Sequence, residues 1–251
     1  MGLSIVASDA LFTALIGTTV LPVTLNKQAE FYFGSTLAKS MVNKANGVSG
    51  TAVGSPTINA YSAVFGDAGY IDSGVSLTGY NTTFIAVAKK NVAGGAIVMG
   101  QMTTFNANST TGDNLIWGSL DGGASDNLLT QSNSSVSASR NPISTSDVTD
   151  GNFHMIVGRL NDVTLNTQYP SIYKTAGTIS SATPADSGNR TGSPVVTATL
   201  KLGHGSANMS QYAGTIEIAS CAYYNRVLTD AEIQACYNFY KSYYAGKITM
   251  V

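Results

Sequence analysis

The stretch YYNRVLTDAEIQACYNFYKSYY, residues 223–244, constrains the fold more than any other part of the chain. Thr229 and Glu232 have the T-x-x-E spacing of a capping box, in which two side chains satisfy two orphan amides at a helix start. Leu228 before the cap and Ile233 after it are spaced as a hydrophobic staple. Asp230 and Glu232 complement the positive end of the helix dipole. Ile233, Cys236, Tyr237, Tyr240 and Tyr244 then recur every three or four residues, forming one apolar stripe. This spacing predicts a single helix that docks by one face on a body of another kind.

That body reads as strands. TTFIAVAKK (82–90) places Phe84, Ala86 and Ala88 on one face and Ile85 and Val87 on the other. Both faces are apolar until the lysines, as expected of a strand in the middle of a sandwich. GAIVMGQM (95–102) follows a glycine-bearing turn, so the two read as a hairpin. Further strands are read in AEFYFG (29–34), DNLIWGSL (113–120), NFHMIVGRL (152–160), YPSIYKTAG (169–177), VVTATLKLG (195–203) and GTIEIASCAYY (214–224). Residues 43–60 read as loops with brief strands, 121–152 as mostly loop, and 178–194 as a polar loop. There is no repeat period, which disfavours propellers and solenoids. Many short strands separated by turns indicate a sandwich or barrel, and 251 residues with 43% hydrophobic content can bury one sizeable core. Near the N-terminus, ALFTALIGTTVLP (10–22) is too short and too interrupted to span a bilayer. Ser8 or Asp9 is placed to cap a short helix over 9–16, and no basic residue precedes it as in a secretory signal. Residues 1–25 therefore read as an N-terminal extension, either a packed terminal element or an attachment or assembly arm, and 26–251 as the domain.

The segment LKLGHGSANMSQYAGTIEIASCAYYNRVLTDAEIQACYNFY (200–240) resembles the C-terminal signature of laminin-G-like, or concanavalin A-like, jelly-roll domains. The matching positions are Leu200, Leu202 and Gly203, then Tyr212, Gly214 and Ile216, then Tyr224, Asn225, Arg226, Leu228, Thr229, Asp230, Glu232 and Ile233. GNFHMIVGRLND (151–162) and PSIYKTAG (170–177) are similar to two upstream strands of the family, although Thr175 and Ala176 depart from its usual Asp/Asn-Gly turn. The resemblance covers roughly 28–244. It implies an all-β, antiparallel β-sandwich of jelly-roll type closed by a short C-terminal helix. Such a fold hosts lectins, hydrolases and inert modules alike, so function must come from a site.

Several chemistries find little support. Charged residues make up 11% of the chain, the net charge is −1, and no basic stripe or polybasic segment exists to hold nucleic acid or an anionic membrane. Cys221 and Cys236 form no metal or redox spacing and read as buried free thiols. Glycosidases of this fold need paired carboxylates, whereas the chain has three glutamates, Glu30, Glu217 and Glu232, with no second carboxylate on the Glu217 strand. No G-x-S-x-G elbow accompanies the two histidines. His154, on a strand, reads as packing, and His204, flanked by glycines, reads as a solvated loop histidine, with contact to a ligand as the alternative. A calcium site would need several oxygens, for which Asp121, Asp126, Asp147 and Asp150, with Asn152, are the candidates.

For a carbohydrate the chain offers Trp117, its only Trp, ahead of the Asp121 and Asp126 loop, with His204 and Tyr212; Trp117 closes an apolar strand and reads first as core, with a sugar platform as the alternative. Tyr70 and Tyr80 also lie in or near predicted loops. The Ser/Thr/Asn richness and the extra N-terminal segment resemble phage tail-fibre or capsid-exposed proteins. The expectation is thus a non-enzymatic, oligomeric, lectin-like module on a virion surface, made without a secretion signal. It would recognise a host-surface glycan and contact other virion subunits through its N-terminal arm. The alternative is a decoration or cement module with no glycan ligand.

Overall fold

A computed structural model describes residues 20–76, 81–90, 96–101, 114–120, 127–133, 138–144, 151–161, 167–173, 179–181, 199–204 and 214–251, with only the backbone for the strands within 114–144 and 160–181. The helix expected over 9–16 lies outside them. The alternating and continuous apolar runs of the sequence form two antiparallel sheets. Strands β1 (Lys27–Tyr32), β3 (Thr57–Ile58), β4 (Ala63–Phe65), β6 (Thr82–Lys90), β11 (His154–Asn161), β12 (Thr167–Tyr173), β13 (Ile179–Ser181) and β15 (Ile216–Tyr224) form the first sheet. Its order is β13-β12-β11-β6-β15-β4-β3, and β1 pairs with the far end of β15 beside β4. Strands β2 (Thr51–Gly54), β5 (Gly69–Ser76), β7 (Ala96–Gln101), β8 (Asn114–Leu120), β9 (Asn127–Asn133), β10 (Ala138–Ser144) and β14 (Thr199–Leu202) form the second, in the order β10-β9-β8-β7-β14-β5-β2. Helix α1 (Leu37–Ser40) is one turn, capped by Thr36, and α2 (Asp230–Tyr243) is the expected closing helix.

Two cores explain why the central strands are apolar on both faces. Phe84, Ala86 and Ala88 of β6 and Ile216, Ile218, Cys221 and Tyr223 of β15 face Ile71, Val98, Leu200 and Leu202 of the opposing sheet. Ile85 and Val87, with Ala219, Ala222 and Tyr224, turn the other way and meet Leu228, Ile233, Cys236, Tyr237, Tyr240 and Tyr244 of the helical segment. The first sheet is therefore covered on both sides, and all nine residues of β15 are buried. Cys221 and Cys236 are free buried thiols in different cores, on opposite faces of that sheet.

The structure corrects three readings. Strands β6 and β7 are not a hairpin, because they belong to different sheets. Both edges of β6 are taken, by β11 and β15, so the chain must cross to the second sheet. The region 121–152, read as mostly loop, carries two strands that the reading did not include, β9 and β10. Their sequences, NLLTQSN and ASRNPIS, lack a hydrophobic alternation, and Pro142 is tolerated because β10 is an edge strand. Tyr70 lies on strand β5 rather than in a loop.

The helix start is locked as its sequence predicts. Thr229 accepts from the Glu232 amide, and the Glu232 carboxylate accepts from the Thr229 amide, closing the capping box. Arg226 adds a two-pronged contact to Glu232 at 2.6 and 3.0 Å, and Arg159 reaches Asp230 at 2.6 Å. The Arg226 hydrogen bond is the chief reason the Glu232 carboxyl is held down at about 2; partial burial opposes it and the Thr229 contacts assist. A carboxyl depressed in the folded state stabilises it above the ordinary carboxylate range. That contribution is lost as pH falls from the ordinary value toward the folded one. Solvent reaches both partners, with side-chain exposures of 20% and 30%, so the contribution is small. Urea unfolding should show that Glu232→Gln costs about 1 kcal/mol at neutral pH and closes most of that gap with the parent at about pH 2. A gap that persists unchanged at acid pH would rule out the charge as its source.

Candidate functional site

Lys89 at the end of β6 lies directly opposite Glu217 on β15. Ile216 and Ile218 point into the inter-sheet core, so the Glu217 side chain emerges on the other face of the first sheet, the side that carries α2. There it forms the floor of a pocket of about 380 Å³, within the ~300–1,000 Å³ range of small-molecule sites. Three segments wall it: the β3–β4 turn at Asn59–Ser62, residues 151–153 leading into β11, and residues 247–249 after the helix.

Local sequence accounts for each wall. The β3–β4 turn is closed by the Asn59 amide donating to the Ser62 carbonyl at 2.9 Å, which leaves Tyr61 at its tip, 46% exposed. Beyond α2, Gly246 takes a left-handed φ of +74°, a conformation that favours glycine, and turns the chain back toward the sheet. The returning tail is then zipped to Phe153, whose amide donates to Thr249 at 2.9 Å and whose carbonyl accepts from Val251 at 3.0 Å.

The polar floor is tightly organised. The Asn59 side-chain amide donates to Glu217 Oε1 at 2.8 Å, the Ser62 hydroxyl donates to the same oxygen, and the Lys89 ammonium sits 3.0 Å from Oε2. Burial alone would raise the Glu217 carboxyl, but these three contacts outweigh it and hold the group below its usual range. Glu217 is therefore an ionised acceptor at neutral pH. Lys89 also lies over the Phe153 ring, 4.9 Å from its centroid. Lys247 stands over the Tyr243 ring at 3.8 Å, and partial burial lowers its ammonium pKa. A fixed carboxylate, a planar amide, a hydroxyl and an exposed phenol thus line one cleft. Such a set can hydrogen-bond hydroxyl groups and cover an apolar C–H face.

Among the described residues lining this pocket, Glu217 is the one carboxylate. Retaining or inverting hydrolysis of a glycoside requires a partner about 5 to 9.5 Å away. Glu30 pairs opposite Ala222, five residues along β15 from Glu217, about 17 Å in strand rise.

His204, singled out as a ligand contact, has a described side chain, as do Tyr70 and Asn152. It is not a solvated loop residue: it is 7% exposed, stacked on Tyr70 with ring centroids 4.4 Å apart, and its Nε2 lies 3.1 Å from Asp67 Oδ1. Gly203 makes this possible, since a Cβ there would fall 2.0 Å from Phe65 Cβ and its φ is +79°. Burial lowers the His204 pKa against the opposing pull of Asp67, so at neutral pH the contact is a hydrogen bond of a neutral ring. Trp117 is placed by its backbone in β8, opposite Met99 and Thr130. Tyr80, Asp121, Asp126, Asp147, Asp150 and Tyr212 lie outside the described residues, and so does the proposed calcium loop. Asn152, weighed as a metal ligand, lines the Glu217 pocket instead. Among the described residues no group of three or more His, Cys, Asp or Glu side chains could hold a metal, and no helix is long and apolar enough to cross a membrane.

No family model matches the chain, and no curated protein matches it by sequence. Solved structures do match. The receptor-binding domain of botulinum neurotoxin C/D mosaic serotype superposes with a TM-score of 0.55 at 10% identity, over 86% of this chain and 52% of that one. Domain 4 of a GH43 extracellular arabinanase from Geobacillus stearothermophilus, in complex with arabinotriose, gives 0.56 at 11% identity, over 84% of this chain and 98% of that one. Trypanosoma rangeli sialidase gives 0.57 at 13% identity, over 89% of this chain and 34% of that one. The chain thus spans about half of the neurotoxin domain, a third of the sialidase and nearly all of the arabinanase domain. At these identities the likeness establishes the architecture alone: this chain is an all-β antiparallel sandwich with a short C-terminal helix.

Proposed function

We propose that this chain is a non-enzymatic carbohydrate-binding module displayed on a virion surface, in a tail fibre or a capsid-exposed protein, and that it recognises host-surface glycans. The observation that carries the reading is the pocket that sets exposed Tyr61 beside the Glu217, Asn59 and Ser62 polar cluster. Sugars present alternating hydroxyls and C–H faces, and this cleft supplies fixed acceptors and donors for the first and an aromatic face for the second. A domain of the same architecture, matched over nearly its whole length, holds arabinotriose. Glu217 serves as a hydroxyl acceptor here, since an ionised carboxylate has no proton to donate and its three donors weaken it as a base. The virion setting rests on the Ser/Thr/Asn-rich, low-charge composition and on the N-terminal arm.

A glycan array probed with the intact oligomer tests the proposal. Binding to a defined set of glycans is expected, and Tyr61→Ala should weaken it about three- to tenfold, because an aromatic contact contributes about 0.5–1.5 kcal/mol. The thermal midpoint should stay unchanged, since Tyr61 is exposed. A blank array would instead favour a decoration or cement module that uses the sandwich only for its stable surface.

A further inference from the structure

The charges of the pocket do not cancel. Three ionisable side chains carry them: Lys89, Glu217 and Lys247. Lys89 and Glu217 neutralise each other at 3.0 Å. Lys247 remains, and among the described residues no carboxylate pairs with it; its recorded side-chain partner is the face of Tyr243. A ring face engages an ammonium only weakly and from one side, which leaves at least one of its three hydrogens for a further partner. Tyr61 and Lys247 both line this pocket, so the exposed aromatic and the cation face the same cleft. The chain as a whole carries a net charge of −1, so this cation is a local feature and not part of a basic surface.

We infer that the pocket selects an anionic sugar, one bearing a carboxylate or a sulfate, whose charged group pairs with Lys247 while its ring hydroxyls meet Glu217, Asn59 and Ser62. The inference rests on the glycan-binding reading of this same pocket. A lysine is a point charge without the fork geometry that tells planar anions apart, so carboxylated and sulfated sugars are both accepted.

Calorimetric titration of the intact assembly tests this with three matched ligands: a neutral galactose oligosaccharide, the corresponding galacturonate oligosaccharide, and a sulfated galactose oligosaccharide. At low salt the two anionic ligands should bind about tenfold more tightly than the neutral one, the scale of one charge-assisted hydrogen bond. Raising the salt should narrow that ratio. Lys247→Gln should erase the preference, bringing the anionic ligands down to the neutral ligand's level, whereas Lys247→Arg should keep it. Equal binding of all three ligands by the parent chain, or a preference that survives Lys247→Gln, overturns the anionic inference while leaving the glycan site standing. Preference for one anion alone contradicts the point-charge argument. If none of the three binds, and the Tyr61→Ala control changes nothing on the array, both the inference and the glycan reading fall.

Discussion

Replacing Tyr240 by alanine is expected to lower the folding stability of this chain by about 3–5 kcal/mol, the range for deleting a large aromatic from a core. Tyr240 is fully buried at the centre of the α2 stripe. Its ring stacks on Tyr244 with centroids 6.2 Å apart and meets Tyr32 and Phe239 edge-on at 6.4 and 5.7 Å. Its cluster includes Ile85 and Val87 of β6, so the truncation opens a cavity between helix and sheet where neither side can collapse easily. Phenylalanine at the same position gives a very different result. The Tyr240 hydroxyl is buried with no hydrogen-bond partner, and burial holds its pKa far above the ordinary value. Tyr240→Phe removes that desolvated group and keeps the ring, so it should leave stability unchanged or raise it by up to about 1 kcal/mol. Urea unfolding of the two variants measures both. An alanine variant that loses under 1 kcal/mol would mean that α2 is an appendage and that the sheet's second face needs no cover.

The contrast between these variants also shows what could be read from the chain. The helix was legible to the residue because its signals are local: a cap at Thr229, a staple at Leu228 and Ile233, and a stripe at helical spacing. The stripe proved to be packing, as its spacing implies, and the two-faced apolarity of β6 reflected the two layers that cover it. Sheet assignment was not legible, because an apolar strand states only that it is buried, not which neighbour buries it. Strands β9 and β10 escaped notice for the opposite reason: an edge hairpin held by backbone pairing needs no hydrophobic code. The pocket was hidden more deeply, since it gathers residues 59–62, 89, 151–153, 217 and 247–249 from five separate stretches. One trace of it stood in the sequence. A strand as apolar as β15 carries a single glutamate, and β6 ends in lysines, which is the pattern of two central strands meeting in an ion pair at a rim.

The second large effect is expected at Glu30, where Glu30→Gln should cost about 3–5 kcal/mol. The Glu30 carboxylate is fully buried and accepts from the Leu21 amide and the Tyr32 hydroxyl, each at 2.7 Å, and from the Lys27 ammonium. Residues three apart on a regular strand face opposite ways, yet these two side chains meet. An irregularity between Lys27 and Ala29 reverses the alternation, so Lys27 opposes Tyr224 and Glu30 opposes Ala222, both on the helix side. The Lys27 side chain is itself only 5% exposed, so glutamine would strand a buried ammonium without its counter-charge. Lys27→Met should be costly for the mirror-image reason. The double variant Lys27→Met/Glu30→Gln leaves no buried charge and should lose several kcal/mol less than the sum of the single losses. Purely additive losses would mean that the two groups act apart, and the argument from an uncompensated charge would fail. The same carboxylate anchors the segment that precedes β1. Leu21 is fully buried beside it and the Val23 carbonyl accepts from the Tyr224 hydroxyl at 3.0 Å, so the chain before residue 20 departs from a fixed point next to α2. The Glu30 variants should therefore expose this junction first, with proteolysis near residues 20–26 rising before the strands of the sandwich are cut.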